Sequence, residues 1–101
     1  MSNEISFEMI SKGGEAFSLL VDALRDARHQ DWEGVNRKKA EAERIMNEAH
    51  NLQTQLIVEE MNGADNQPNV LLIHAQDTLM NTILMFTLLD EFIYIYQKGE
   101  K

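Results

Sequence analysis

Hydrophobic positions along the chain recur at spacings of three and four, the period of a helix packed along one face. Three long segments carry the pattern, divided by two breaks. From about Glu4 to Arg28, the residues Ile10, Gly13, Phe17, Leu20, Leu24 and Ala27 form one stripe, with Ser2 or Asn3 as the cap. Gly13 and Gly14 fall inside it, and each costs roughly 1 kcal/mol against alanine in a helix interior. Such a pair marks either a weak point or a close approach by a neighbouring helix. A break near His29-Gln30-Asp31 comes next, and Asp31 suits the N-cap of a second helix with Trp32 as a staple. Its stripe is Val35, Ala42, Ile45, Ala49, Leu52 and Leu56; its other faces are charged, from Arg37-Lys38-Lys39 to Glu48. It should end near Asn62-Gly63, where glycine fits the position after the C-cap. The run from Asn62 to Asn69, with Pro68 near its end, is the strongest loop signal in the chain.

The third segment, about Asn69 to Gln97, differs in kind. Leu71, Leu72, Ile73, Leu79, Met80, Ile83, Leu84, Phe86, Leu88, Phe92 and Ile95 cover nearly every face. A helix apolar all round must be buried all round, and two partner helices cannot cover a third completely. The pattern therefore predicts that this helix also faces other subunits. With 5 glycines and 1 proline, the chain has too few breakers for a sheet protein. The expected fold is all-α: one domain over residues 1–101, an antiparallel three-helix bundle.

Charge and composition narrow the functions. The 9 basic and 17 acidic residues leave a net charge of −8. That opposes binding to nucleic acid or to anionic lipid, both of which need a basic face. Without cysteine there is no disulfide framework, thiolate zinc site or cysteine nucleophile. No unbroken apolar run approaches the ~18 residues of a membrane span. Met1-Ser2-Asn3-Glu4 lacks the basic flank and apolar stretch of a signal peptide, so the expected compartment is the cytoplasm.

The chemistry lies in the apolar helix. His74, Asp77, Thr78 and Asn81 share one strip at helical spacing, whereas Gln76 points elsewhere. An ionised carboxylate in an apolar setting needs a cation, and the sequence holds no lysine or arginine between Ile45 and Gln97. The partner of Asp77 must come from the first two helices, another chain or a metal ion; carboxylate oxygen suits magnesium. His74 sits little more than one turn into its helix. The dipole there favours anions over imidazolium, leaving a neutral ring able to attack a phosphoryl donor. His29 and His50 lie in polar surroundings and read as surface residues, and Met46, Met61, Met80 and Met85 read as packing.

The run Leu71-Leu72-Ile73-His74-Ala75-Gln76-Asp77-Thr78-Leu79-Met80-Asn81 resembles the signature helix of the lactose/cellobiose-type enzyme IIA component of the bacterial phosphoenolpyruvate-dependent sugar phosphotransferase system. Gly14-Glu15-Ala16, Ala40-Glu41 and the glycine-containing loop ahead of the signature extend the likeness over essentially the whole chain. The resemblance implies a cytoplasmic helical bundle that assembles as a homotrimer. It implies that His74 is transiently phosphorylated, receiving the group from the phosphocarrier HPr and passing it to the cysteine of the cognate IIB component. It implies that three copies of Asp77 share one metal ion, normally Mg2+. Three carboxylates on one axis would need such a cation in any case. Gln76 is the candidate support, reaching the phosphoryl group on a neighbouring subunit. Thr78 departs from the family pattern, which often has a second histidine there. A non-catalytic regulatory or structural bundle is the alternative to phosphotransfer. The resemblance also implies contact with proteins rather than carbohydrate, which leaves sugar specificity to the membrane component.

Overall fold

The structure is a computed structural model and describes residues 2–63 and 69–99. Three helices account for nearly all of them: α1 Ser2–Arg28, α2 Trp32–Met61 and α3 Val70–Gly99. They form a rod of 56 × 20 × 18 Å. Contacts between helices set the directions. Lys12 meets Glu48 at 2.8 Å and Asp26 meets Lys38 at 2.7 Å, so α1 and α2 are antiparallel. Lys39 reaches Asp90 and Gln53 reaches Gln76, so α3 is antiparallel to α2. Asn69 Nδ2 donates to Asn3 Oδ1 at 3.1 Å, at the end where α1 and α3 both begin. The sequence-based expectation of an antiparallel three-helix bundle holds, with α1 packed along both partners and α2 and α3 touching much less.

Local chemistry explains the breaks. At the end of α1 the Asp31 N–H donates to the Asp26 carbonyl at 2.8 Å and the Gln30 N–H to that of Ala27 at 3.0 Å. This pair of bonds is a Schellman closure, which puts its penultimate residue in the left-handed region. Gln30 stands there at φ 62°, a place that favours glycine. Asp31 then caps α2, accepting from the Gly34 N–H at 3.0 Å. Gly63, at φ 95°, follows the Asn62 C-cap of α2. Asn69 caps α3 through the Leu72 N–H at 2.7 Å. The remainder of the expected loop, 64–68, lies outside the described residues. Asn3 is inside α1 rather than capping it, with its side chain spent on Asn69.

The core corrects one expected stripe. On α1 the buried residues are Ser6, Met9, Gly13, Ala16, Leu20, Ala23 and Ala27; Gly13, Leu20 and Ala27 are from the expected stripe, while Phe17 is 40% exposed and Ile10 and Leu24 are half-buried. The inward face is turned from the expected one toward small residues, because α1 must lie against two helices at once. Gly13 shows how close the approach is: a Cβ there would stand 3.0 Å from Thr78 Cγ2 on α3. The glycine pair is thus not a kink; α1 runs through it unbroken. On α2 the expected stripe is buried at Val35, Ala42, Ile45, Ala49 and Leu56, joined by Met46. On α3 only Ala75, Leu79, Thr82 and Leu89 are buried.

The apolar remainder of α3 is open within one chain. Ile73 is 61% exposed, Met80 54%, Leu84 57% and Ile95 59%. Complete burial, expected from an all-round apolar helix, is therefore not reached by α1 and α2. By length and a mean hydropathy of 1.3, α3 also meets the composition of a bilayer-crossing helix; here it lies against α1 through Leu79, Thr82 and Leu89. The basic cluster on α2 is largely neutralised: Lys38 by Asp26, Lys39 by Asp90, and Arg44 by Glu41 at 2.8 Å and Glu48 at 2.7 Å. Lys39 also lies 5.5 Å from the centroid of the Phe86 ring.

Candidate functional site

A groove of about 450 Å³ runs between α1 and α3. Gly14 and Phe17 form the α1 wall. On the α3 wall stand His74, Asp77, Thr78 and Asn81, continued by Leu84, Met85 and Leu88. Three of the four strip residues, His74, Asp77 and Asn81, are solvent-exposed in the single chain, and Thr78 is half-buried. The polar strip expected from spacing is thus one continuous surface. The groove exists because Gly13 lets the helices approach, while Gly14 has nothing within 4 Å of where a Cβ would be and leaves room beside the imidazole.

His74 falls in the second turn of α3, one residue before the buried Ala75 that ties this turn to the core. The backbone under it is therefore held, while its ring faces solvent. Asn69 takes one of the free N–H groups at the helix start, and the Ile73 N–H bonds the Asn69 carbonyl at 3.0 Å. The positive end of the helix remains close enough to favour an anion carried on the ring.

Asp77 makes no ion pair with any described residue of its own chain. Among the described residues no group of three histidine and carboxylate side chains converges to hold a metal ion. One chain thus offers one carboxylate at this place, on the open side of α3 beside Ile73, Met80 and Leu84. That donor set fits a magnesium-like cation only if several chains contribute. Gln76 faces the other way: its side-chain carbonyl accepts from Gln53 Nε2 on α2. It stands in the α2–α3 seam, away from the groove.

Below the strip, Thr82 is fully buried and its hydroxyl lies 3.0 Å from the Gly13 carbonyl and 2.8 Å from that of Thr78. It pins α3 to α1 directly under the groove. Sequence spacing missed Thr82, Gly14 and Phe17 as parts of this place. The only signal for them was the glycine pair followed by small residues on α1.

The whole chain has close relatives. Residues 4–97 match the family model described as "PTS system, Lactose/Cellobiose specific IIA subunit". A lactose-specific EIIA component from Staphylococcus epidermidis is 34% identical over 95 residues, 94% of this chain and 91% of the relative. The crystal structure of a cellobiose-specific enzyme IIA from Bacillus anthracis superposes with a TM-score of 0.93 at 40% identity, covering 96% of this chain and 89% of that one. The Escherichia coli chitobiose IIA, solved in complex with HPr, superposes with a TM-score of 0.81 at 29% identity, covering 97% and 95%. Sequence and fold agree over nearly the full length, and the chain belongs to the lactose/cellobiose-specific IIA family of the sugar phosphotransferase system.

Proposed function

We propose that this protein is a phosphocarrier of sugar uptake that takes a phosphoryl group from phospho-HPr onto His74 and passes it to a IIB component. The observation that carries the reading is the solvent-facing imidazole in the second turn of α3, set in a groove where the polar strip lies beside Phe17, Leu84, Met85 and Leu88. A ring nitrogen attacks the phosphorus of phospho-HPr. The new N–P bond forms as the donor's N–P bond breaks, and the donor nitrogen keeps the electron pair. In the second half a IIB cysteine thiolate attacks the same phosphorus and His74 is released. There is little covalent work beyond this, so the protein's task is positioning and charge stabilisation. HPr as donor is supported by the chitobiose relative, which was solved bound to it.

The active form is a homotrimer in the cytoplasm, packed through the open face of α3. An apolar stripe of Ile73, Met80, Leu84 and Ile95, left uncovered by α1 and α2, supports that assembly. Asp77 lies on the same stripe, so three copies would meet. These carboxylates would hold one Mg2+, whose role is to offset three like charges. Gln76, which lies in the α2–α3 seam bonded to Gln53 of its own chain, is the residue proposed to support the phosphoryl group on a neighbouring subunit.

The test is incubation with phosphoenolpyruvate, enzyme I and HPr. The wild-type chain should take one acid-labile phosphate, and His74→Ala none; a labelled His74→Ala protein would refute the acceptor. The metal is tested separately. Chelator should lower the wild-type melting temperature and magnesium restore it, by linkage of binding to folding. Asp77→Leu should respond to neither.

A further inference from the structure

Threonines inside helices commonly return their hydroxyl to the carbonyl four residues back. Thr54, Thr82 and Thr87 do so, at 3.1, 2.8 and 3.1 Å from the carbonyls of His50, Thr78 and Ile83. Thr78 is different. Among the described residues its hydroxyl has no hydrogen-bond partner, although the His74 carbonyl stands four residues behind it. The cause is on α1. Thr78 Cγ2 is seated in the notch of Gly13, 3.0 Å from where a Cβ would be. A β-branched side chain has little freedom about its first bond, so seating the methyl also sets the hydroxyl. That hydroxyl belongs to a residue lining the groove of His74.

We infer that Thr78 is a positioning residue for His74: a turn of the exposed imidazole brings its Nδ1–H to the free Oγ1, a bond that the ring orientation in this structure does not make, and leaves the Nε2 lone pair toward the donor. The inference rests on His74 being the phosphoryl acceptor. Side chains at i and i+4 stand about 5–6 Å apart at Cβ, and helical side chains lean toward the N-terminus, so Thr78 leans over His74. A short side chain reaches the ring nitrogen nearer the backbone, which is Nδ1. The rival acceptors are committed or turned away: Gln76 is bonded to Gln53 on α2, and Asp77 lies on the other flank of His74, toward the open apolar stripe.

The arrangement assists the transfer itself. As Nε2 bonds to phosphorus and the donor nitrogen leaves with its electron pair, Nδ1 keeps its proton and the ring becomes cationic. The bond to Oγ1 turns charge-assisted, and is therefore stronger in the transition state than at rest. Gly13 has a part in this, because the notch that admits the methyl is what frees the hydroxyl.

The experiment is single-turnover transfer from phospho-HPr with wild type, Thr78→Val, Thr78→Ser and His74→Ala, together with 15N spectra of the His74 ring. Valine keeps the seated methyl and deletes only the hydroxyl. Thr78→Val should transfer about tenfold more slowly at saturating phospho-HPr, with the half-saturating concentration unchanged. Thr78→Ser should recover most of the rate. The wild-type ring should be the Nδ1–H tautomer, and the ring of Thr78→Val a mixture. Wild-type transfer by Thr78→Val, or an Nε2–H tautomer in wild type, overturns the inference while leaving His74 as acceptor. Label on His74→Ala removes the acceptor assignment and the inference together. The wild-type tautomer decides the matter even if the valine variant does not fold.

Discussion

Adjacent glycines at the centre of α1 should respond in opposite ways to the same substitution. Alanine in place of either removes the penalty of a mid-helix glycine, worth about 0.8–1 kcal/mol. At Gly14 nothing lies within 4 Å of the added methyl, so the full gain should appear. At Gly13 the methyl would meet Thr78 Cγ2 at 3.0 Å, with Thr82 Oγ1 and the Thr78 backbone at 3.8 Å. Thr78 cannot simply swing away, because its first side-chain torsion is stiff and its backbone carbonyl is bonded to Thr82 at 2.8 Å. Relief requires α1 and α3 to separate by a few tenths of an ångström along a close-packed seam, which at the lower end of overpacking costs about 1 kcal/mol and cancels the propensity gain. For a domain of this size 1 kcal/mol moves the melting temperature by roughly 4–8 °C. Gly14→Ala should therefore melt several degrees above wild type, and Gly13→Ala at or below it. Melting must be followed at one fixed protein concentration, because any oligomer makes it concentration-dependent. Equal stabilisation by the two alanines would show that the helices do not meet at Gly13.

Gln30 and the ion pairs extend the same reasoning. Gln30→Gly should stabilise the α1–α2 turn by up to about 1 kcal/mol, since glycine carries no penalty at positive φ; thermal melting reads it, and destabilisation would contradict the φ of 62°. The Lys12 hydrogen bond holds the Glu48 carboxyl below its ordinary range, and Glu48 in turn raises Lys12. A depressed carboxyl contributes stability that is present above its unfolded value of about 4.3 and is lost as pH falls through the folded value. Raised Lys12 works in the opposite window, its contribution fading as pH climbs past about 10.4. Wild type should thus lose more stability than Glu48→Gln on going from pH 5 to pH 3, measured by denaturant unfolding; parallel curves would refute the pair.

The sequence by itself determined the three helices, their breaks and the strip that carries the chemistry. These follow from local causes: Asp31 and Gly63 act at their own helix ends, and the spacing of His74, Asp77, Thr78 and Asn81 places them together on any helix. It also showed that α3 is too apolar for a chain of three helices, which the open Ile73, Met80, Leu84 and Ile95 bear out within one chain. Tertiary structure alone decided which face of α1 turns inward. Ile10, Phe17 and Leu24 complete a good stripe by hydrophobicity, yet Ala16 and Ala23 lie inside in their place beside Gly13, Leu20 and Ala27, because a helix squeezed between two others favours small residues at its closest contacts. Phe17 is thereby moved to the groove wall beside His74. The same close approach seats the Thr78 methyl and buries Thr82 against the Gly13 carbonyl. No period in the sequence encodes those contacts, since they depend on the distance between two helices whose contacting residues lie 69 positions apart in the chain.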